Sequence, residues 1–296
     1  MDKARTYFAK LSTVAQAQAP APAATPARPS TVAQPTAVAV TTPELKSALD
    51  AAASGSGAKD FSADVLGDSF MTSEGQTFAT VALKSDAPKT AKVGVRIVDA
   101  SGNTVTETEL PFTSAKEKQG FFETALPISA GEYSMVIAAS DGGKSSGTKI
   151  PLSVPDYGSK LSISSPIFVG EFQQLPAGEP EMSPYTFGKT KIVPSFDHVF
   201  PKGGDLKMLY EIYNAQNDPA TGKTNLEETV RFEKQGGNPK QSKPAPPQGF
   251  AIGKKITVPT GFPLATFEPG EYKLTLTITD KTSGQTATKE TTFKVQ

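Results

Sequence analysis

Two matching stretches constrain the fold of this chain more than any other feature of its sequence. GEYSMVIAASD begins at Gly131 and GEYKLTLTITD begins at Gly270, and apolar residues recur at alternate positions in both. Alternation with a period of two is typical of a β-strand with one buried face. Each stretch ends at an aspartate followed by a glycine-containing turn, so each predicts a strand that enters a hairpin.

The two stretches align without a gap from the glycine to the aspartate. Downstream, the turn is two residues longer in the second copy. The apolar positions of the returning strand then match again: Ile150, Leu152 and Val154 correspond to Thr291, Phe293 and Val295. Because each copy lies in the last third of its region, the repeat predicts two tandem domains of one fold.

The tyrosine of each copy has the position of a tyrosine corner. In immunoglobulin-like sandwiches, a tyrosine near the start of strand F donates its hydroxyl to a backbone carbonyl a few residues upstream. The glycine supplies a backbone conformation that other residues resist, and Pro269 favours the preceding turn. We therefore interpret Gly131, Tyr133, Gly270 and Tyr272 as structural residues.

The pattern as a whole predicts an all-β chain of two tandem immunoglobulin-like (fibronectin III-like) antiparallel β-sandwiches. The second has long polar loops and a clear strand, LKMLYEIYN, with Leu206, Met208, Tyr210 and Ile212 facing inward. The expected segments are a short helix or signal remnant (1–18), a disordered Ala/Pro/Thr-rich linker (19–42), a short helix (43–55), the first sandwich (60–156) and the second (159–296).

The segments before the first sandwich carry their own signals. Lys10 interrupts the apolar core that a secretory signal requires, so the signal is incomplete in this chain. TPELKSALDAAASG predicts a helix with Thr42 as its N-cap, Pro43 as its first residue and Gly55 as its stop.

Composition excludes several functional classes. The 30 basic and 30 acidic side chains cancel, so nothing in the net charge favours nucleic acid, and we expect none as a partner. Without cysteine there are no disulfides or thiolate metal sites, and His198 is the only histidine. No apolar run approaches the roughly 18–20 residues of a membrane span. We expect no enzyme activity, cofactor or metal, although the 214–225 loop leaves calcium open.

Part of the sequence resembles a known family. AGEYSMVIAASDGGKSSGTKIPLSVPDYGSKLSISSPI resembles the region that follows the globular domain in bacterial secreted proteins related to von Willebrand factor A domains, and LKMLYEIYNA is similar to a strand of the related GWxTD proteins. The A-domain motif Asp-x-Ser-x-Ser and the motif Gly-Trp-x-Thr-Asp are both missing. The resemblance thus implies a C-terminal sandwich pair without the family's metal-dependent adhesion.

These observations favour a non-catalytic, extracytoplasmic module in the periplasm, on the outer-membrane surface or secreted. It would act in protein interaction or as a structural spacer, with a protein partner in the cell envelope. The alternative is a carbohydrate- or surface-binding adhesin module. For that alternative the candidate contact aromatics are Phe121, Phe122, Tyr185 and Phe187.

Overall fold

The computed structural model of the chain describes residues 39–111, 120–174, 185–187 and 190–296. Segment 1–18 and nearly all of segment 19–42 lie outside these ranges. The described residues are all-β apart from one short helix, and they form two compact units. The N-terminal unit contains residues 39–69 and 77–156, and the C-terminal unit contains Phe70–Gln76 and Tyr157–Gln296. Within the described ranges, no helix has the length and apolar character to cross a membrane.

Helix α1 (Pro43–Ala53) begins at the predicted proline and ends two residues before Gly55. Its apolar face is buried and consists of Leu45, Ala48, Leu49 and Ala52. Thr42 is the N-cap residue, but the prediction that its side chain caps the helix is wrong. The Thr42 side chain makes no hydrogen bond to the helix, because its hydroxyl donates to a strand residue, Glu109, at 2.7 Å.

The described residues of the N-terminal sandwich form seven strands in two antiparallel sheets. They are β1 (Ala63–Met71), β2 (Thr77–Ser85), β3 (Lys92–Asp99), β4 (Thr104–Pro111), β5 (Gly120–Pro127), β6 (Gly131–Asp141) and β7 (Lys144–Val154). One sheet has the order β1-β2-β5 and the other β4-β3-β6-β7. Inward residues of both sheets, among them Val81, Val95 and Ile137, form one apolar core.

In the C-terminal sandwich, the part of the chain that the structure describes contains twelve strands, several of them very short. They are β8 (Ser162–Ile163), β9 (Ile167–Gln174), β10 (Thr186–Phe187), β11 (Thr190–Pro194), β12 (Val199–Phe200), β13 (Asp205–Tyr213), β14 (Leu226–Lys234), β15 (Lys240–Gln241), β16 (Phe250–Ile252), β17 (Lys255–Pro263), β18 (Gly270–Asp280) and β19 (Thr286–Val295). One sheet has the order β10-β11-β9-β13-β17-β16, with β8 also on β13, and the other β12-β19-β18-β14-β15.

The two sandwiches share one topology. In each sandwich, one sheet contains four strands in the same order: β4-β3-β6-β7 in the first and β15-β14-β18-β19 in the second. The last two strands of each set form the final hairpin, and the first strand of that hairpin pairs with β3 or β14. The predicted inward residues of β13, Leu206, Met208, Tyr210 and Ile212, all lie in the C-terminal core. The short strands β10–β12 are additions that lie between β9 and β13 in the sequence.

Strand register confirms the alignment of the repeat. Strands β6 and β18 have the same length and begin at the aligned glycines. Tyr133 lies opposite Leu152, and Tyr272 lies opposite Phe293. The sequence alignment had matched Leu152 with Phe293, so the last hairpin is the same structural unit in both sandwiches.

Candidate binding surface

The outward face of β14, β18 and β19 is the surface with the most regular polar chemistry. In β18 the side chains of Leu274, Leu276 and Ile278 are fully buried in the core. Strand alternation therefore directs the threonines between them outward. We call this surface the threonine face, and its threonines are Thr229, Thr275, Thr277, Thr279, Thr286, Thr288 and Thr292.

Threonines on neighbouring strands of this face lie directly opposite one another. Thr277 is opposite Thr229 on one side and Thr288 on the other. The Thr277 and Thr288 hydroxyls are 3.4 Å apart, and those of Thr279 and Thr286 are 3.2 Å apart. The hydroxyls form an ordered array of donors and acceptors, and each retains hydrogen-bonding capacity for a ligand or for water.

Charged side chains surround the array in ion pairs. Lys273 and Glu290 are 3.1 Å apart, and Arg231 and Glu233 are 3.1 Å apart. The hydrogen bond from Lys273, together with its charge, lowers the pKa of Glu290 below its usual value. All four side chains are substantially exposed, so these pairs add little stability and remain available to a partner.

The equivalent face of the N-terminal sandwich is covered by α1. Ala138 of β6 lies opposite Gly94 of β3 and Gly147 of β7. Ala138 and its outward neighbour Val136 pack against the apolar side of α1. We call the surface formed by Gly94, Val136, Ala138 and Gly147 the helix seat.

The two glycines create the space that the helix occupies. A Cβ atom on Gly94 would lie 2.7 Å from Cδ1 of Leu49, and one on Gly147 would lie 2.7 Å from Cβ of Ala52. Both distances are shorter than carbon atoms tolerate. The helix therefore lies close to the sheet because these two positions carry no side chain.

Two charged residues of the sheet anchor α1. The Glu109 carboxylate accepts hydrogen bonds from the Thr41 and Thr42 amides and from the Thr42 hydroxyl, and Lys92 contacts it at 2.6 Å. Burial alone would raise the pKa of Glu109, but the bonds from Lys92 and the threonines lower it to about 2. Arg96 binds Asp50 of α1 at 2.7 Å and also contacts Glu107 of β4.

Register relates the two faces position by position. Because β6 and β18 align without a gap, Ala138 corresponds to Thr277 and Val136 to Thr275. By the same register the glycines of the helix seat correspond to Thr229 and Thr288. Branched polar side chains thus fill the positions that the N-terminal sandwich leaves empty for its helix, so the threonine face suits a polar partner.

The predicted tyrosine corners have the expected hydrogen bonds. The Tyr133 hydroxyl donates to the Ser129 carbonyl at 3.1 Å, and the Tyr272 hydroxyl donates to the Glu268 carbonyl at 2.8 Å. Gly131 has φ 158° and Gly270 has φ 146°, values that residues with a Cβ rarely adopt. These four positions lie where the last hairpin of each sandwich begins.

The structure excludes two of the four candidate contact aromatics. Phe122 is buried in the N-terminal core, and Tyr185 is fully buried. Neither ring is available to stack on a sugar. Phe121 is half-buried in β5, and the side chain of Phe187 lies outside the described part of the chain. Phe121 and Phe122 are consecutive in a strand, so their side chains point to opposite faces and Phe122 points into the core.

The remaining polar candidates serve local structure. His198 contacts the Thr292 carbonyl at 3.2 Å through Nδ1, and burial lowers its pKa. In the 214–225 loop, the Asp218 carboxylate accepts the amides of Ala220 and Thr221, while Asn214 donates to the Tyr157 carbonyl. Across the ranges that the structure describes, no three acidic or histidine side chains are grouped to hold a metal ion.

No protein-family model matches this chain, and no curated protein matches it either. The solved structures that it is similar to include a Salmonella alpha-2-macroglobulin mutant, at 14% identity and TM-score 0.25. That match covers 79% of this chain but only 16% of the macroglobulin.

Two further solved structures are similar over most of their own length. A chimeric titin Z1Z2-Z1Z2 tandem matches at 14% identity and TM-score 0.19, over 74% of this chain and 90% of the tandem. The chicken interferon gamma receptor alpha chain matches at 10% identity and TM-score 0.22, over 79% of this chain and 98% of the receptor. These likenesses are too weak to carry an argument about function.

Proposed function

We propose that this chain is a non-catalytic, extracytoplasmic interaction or spacer module that binds a protein of the cell envelope through its threonine face. The observation that carries the proposal is the equivalence of the two sheet faces. In the N-terminal sandwich this face already serves as a contact surface, because α1 occupies it. In the C-terminal sandwich the corresponding face is polar, and its threonines are exposed on β19 and half-buried on β14 and β18.

The chemistry of the threonine face suits a polar protein surface. Threonine hydroxyls both donate and accept hydrogen bonds, and Arg231 and Glu290 offer charged groups of both signs at its border. Interfaces of this kind are polar at the rim and retain bridging water. The resemblance to the sandwich region of bacterial secreted proteins supports an extracytoplasmic location.

Carbohydrate binding is the alternative function. Hydroxyl and carboxylate groups also bind sugars, so the threonine face does not contradict it. The seven threonines and their charged neighbours include no aromatic ring, however, and stacking rings usually provide much of the affinity for sugars. We therefore favour a protein partner.

The test is site-specific photo-cross-linking with the full chain. A photoreactive amino acid at Thr277, in the centre of the face, is expected to capture a defined envelope protein, which mass spectrometry then identifies. The same amino acid at Thr221, an exposed threonine of a loop in the same unit, is the matched control. Capture of the same protein from both positions would contradict the threonine face as the binding surface.

A pair of substitutions tests the same face without a cross-linker. Thr277→Arg combined with Thr288→Arg adds bulk and charge at its centre, so the protein captured by the wild type is no longer retained. Thr221→Arg is expected to leave retention unchanged. A different outcome would support the carbohydrate alternative: the wild type captures no protein but is retained on a polysaccharide column, and the double variant is not retained.

A further inference from the structure

The backbone hydrogen bonds around α1 change partner at Gly57. The connecting residues Ser54 and Ser56 bond to the last turn of the helix, with both hydroxyls and the Ser56 amide on the Ala51 carbonyl, and the two hydroxyls lie 3.0 Å apart. Lys149 of β7 reaches the end of the helix through its side chain, at 3.4 Å from the Ala53 carbonyl. Beyond Gly57, the chain bonds to β7 instead: the Ala58 carbonyl accepts from the Gly147 amide. The helix and its connection therefore form one unit, joined to the sandwich at a glycine.

The helix seat is complementary to α1 in particular. The space above Gly147 fits the small side chain of Ala52, and the space above Gly94 fits Leu49. The polar groups also match: Arg96 forms an ion pair with Asp50 of the helix, and Glu109 accepts a hydrogen bond from Thr42, the residue before the helix. Every copy of the chain carries this same ligand for the seat.

An isolated helix of this length is not stable in water. Eleven residues fall short of the roughly 12–15 that a marginally stable free helix needs. When α1 leaves its own sheet, docking on the empty helix seat of another molecule lowers the free energy of both the helix and that seat. Exchange of an identical element between copies restores every contact of the closed form.

We propose that the helix seat is a receptor that accepts α1 from a second copy of this chain as well as its own. The partner that fits this surface is thus another molecule of the same protein, and the exchanged element is residues 39–56 with Gly57 as the hinge. This interaction uses the N-terminal sandwich and is independent of the threonine face.

Two full-length variants that complement each other test the proposal. The helix-defective chain carries Leu45→Asp and Leu49→Asp, which place charges on the docking face of α1 and leave the seat unchanged. The seat-defective chain carries Gly94→Leu, which fills the seat and leaves α1 unchanged. Neither variant alone is expected to self-associate through this contact. When they are mixed, the helix of the second docks on the seat of the first, and the mixture forms a species of twice the chain mass in light scattering.

Nuclear magnetic resonance gives the location of the contact and detects weak binding. With the helix-defective chain labelled, adding the seat-defective chain up to about 1 mM is expected to shift the amides of Val136, Ala138 and Gly147. A labelled chain with both defects is the control and is expected to show no shifts. The spectrum of each variant also reports whether its sandwich remains folded.

Absence of these shifts, together with a mixture that stays at the mass of one chain, would overturn the proposal. Should Gly94→Leu prove unfolded, Gly147→Leu closes the other half of the seat and replaces it. A synthetic peptide of residues 39–56 provides a second readout, because it is expected to bind the helix-defective chain and not the chain with both defects. Equal binding of the peptide to both chains would also refute the proposal.

Discussion

Arg96 and Arg231 occupy the same register position in the two sandwiches. Arg96 lies opposite Val136, and Arg231 lies opposite Thr275, which is the residue that aligns with Val136. Arg96 reaches Asp50 of α1, whereas Arg231 pairs with a neighbour on its own strand, Glu233. One basic position in the fold thus anchors a helix in the first sandwich and remains at an open surface in the second.

The contact between Gly147 and Ala52 predicts a strong coupling between two small residues. Gly147→Ala is expected to destabilise the docked helix by about 1–3 kcal/mol, because the added Cβ would overlap Ala52. Ala52→Gly removes the overlapping atom, although glycine within a helix has its own cost in stability. The double variant is therefore expected to be more stable than the sum of the two single effects predicts. A double-mutant cycle in urea, with hydrogen exchange of the α1 amides, measures the coupling, expected at about 0.5–2 kcal/mol.

Gly203→Ala is the matched control for that cycle. A Cβ at Gly203 meets no atom within 4 Å, so the substitution is expected to change stability by less than about 0.5 kcal/mol. Additive effects of Gly147→Ala and Ala52→Gly would show that the helix does not rest on Gly147.

Glu109 predicts a pH dependence of helix docking. Its pKa lies at about 2 in the folded chain, below the ordinary value of about 4.3 that it has when unfolded. A lowered pKa contributes stability that is complete above the ordinary value and is lost as the pH falls towards 2. Glu109→Gln is expected to weaken docking by about 1–2 kcal/mol at neutral pH, and its difference from the wild type is expected to shrink between pH 4.5 and 2.

The measurement is urea unfolding of both proteins across this pH range, with hydrogen exchange to follow α1 itself. Glu290→Gln is a suitable comparison because Glu290 also has a lowered pKa but lies exposed. A wild type whose advantage over Glu109→Gln persists unchanged to pH 2 would contradict the role of the carboxylate.

The tyrosine corners differ in burial and therefore in expected contribution. Tyr272 is buried and stacks on Phe293 at 5.3 Å between ring centroids, while Tyr133 is half-buried. Tyr272→Phe is expected to cost about 1 kcal/mol through the lost hydrogen bond to the Glu268 carbonyl. Tyr133→Phe is expected to cost less, because water reaches that site. Chemical denaturation of the two variants side by side tests the difference, and no loss in Tyr272→Phe would argue against the corner.

The repeat allowed much of the last hairpin to be predicted from the sequence. Local alternation specifies which residues of a strand point inward, and the aligned Gly-Glu-Tyr stretches fixed the register of both copies. The helix was also predictable, since Pro43 and the spacing of Leu45 and Leu49 are local signals. Each of these features depends on residues close together in the chain.

Features that depend on distant residues were not predictable. The hydroxyl of Thr42 binds Glu109, a residue 67 positions away, and no local rule for helix caps includes that partner. The burial of Tyr185 likewise depends on tertiary packing. The threonine face did leave a signal in TLTIT, residues 275–279, but its significance depends on the threonines of β19 and β14 that the fold places beside it.

The buried carboxylate of Glu211 predicts the largest single loss of stability in the C-terminal unit. Glu211 lies 2.6 Å from Lys255 and accepts the Tyr213 hydroxyl at 2.7 Å. The Tyr213 hydroxyl in turn accepts the Met71 amide at 3.1 Å, so one carboxylate supports a chain of buried polar groups. Removing one partner of a buried ion pair leaves the charge of the other without compensation. We therefore expect Glu211→Leu to lower the free energy of unfolding by about 3–5 kcal/mol.

Lys273→Met is the matched control, because it breaks an exposed ion pair with Glu290 and is expected to cost less than about 1 kcal/mol. Tyr213→Phe isolates one step of the network: the Met71 amide loses its acceptor, at a cost of about 1–2 kcal/mol, and its hydrogen exchange accelerates. Urea unfolding of the three variants ranks them. If Glu211→Leu were no more harmful than Lys273→Met, the polar groups around Glu211 would have to find other partners, and the carboxylate would not be the centre of the network.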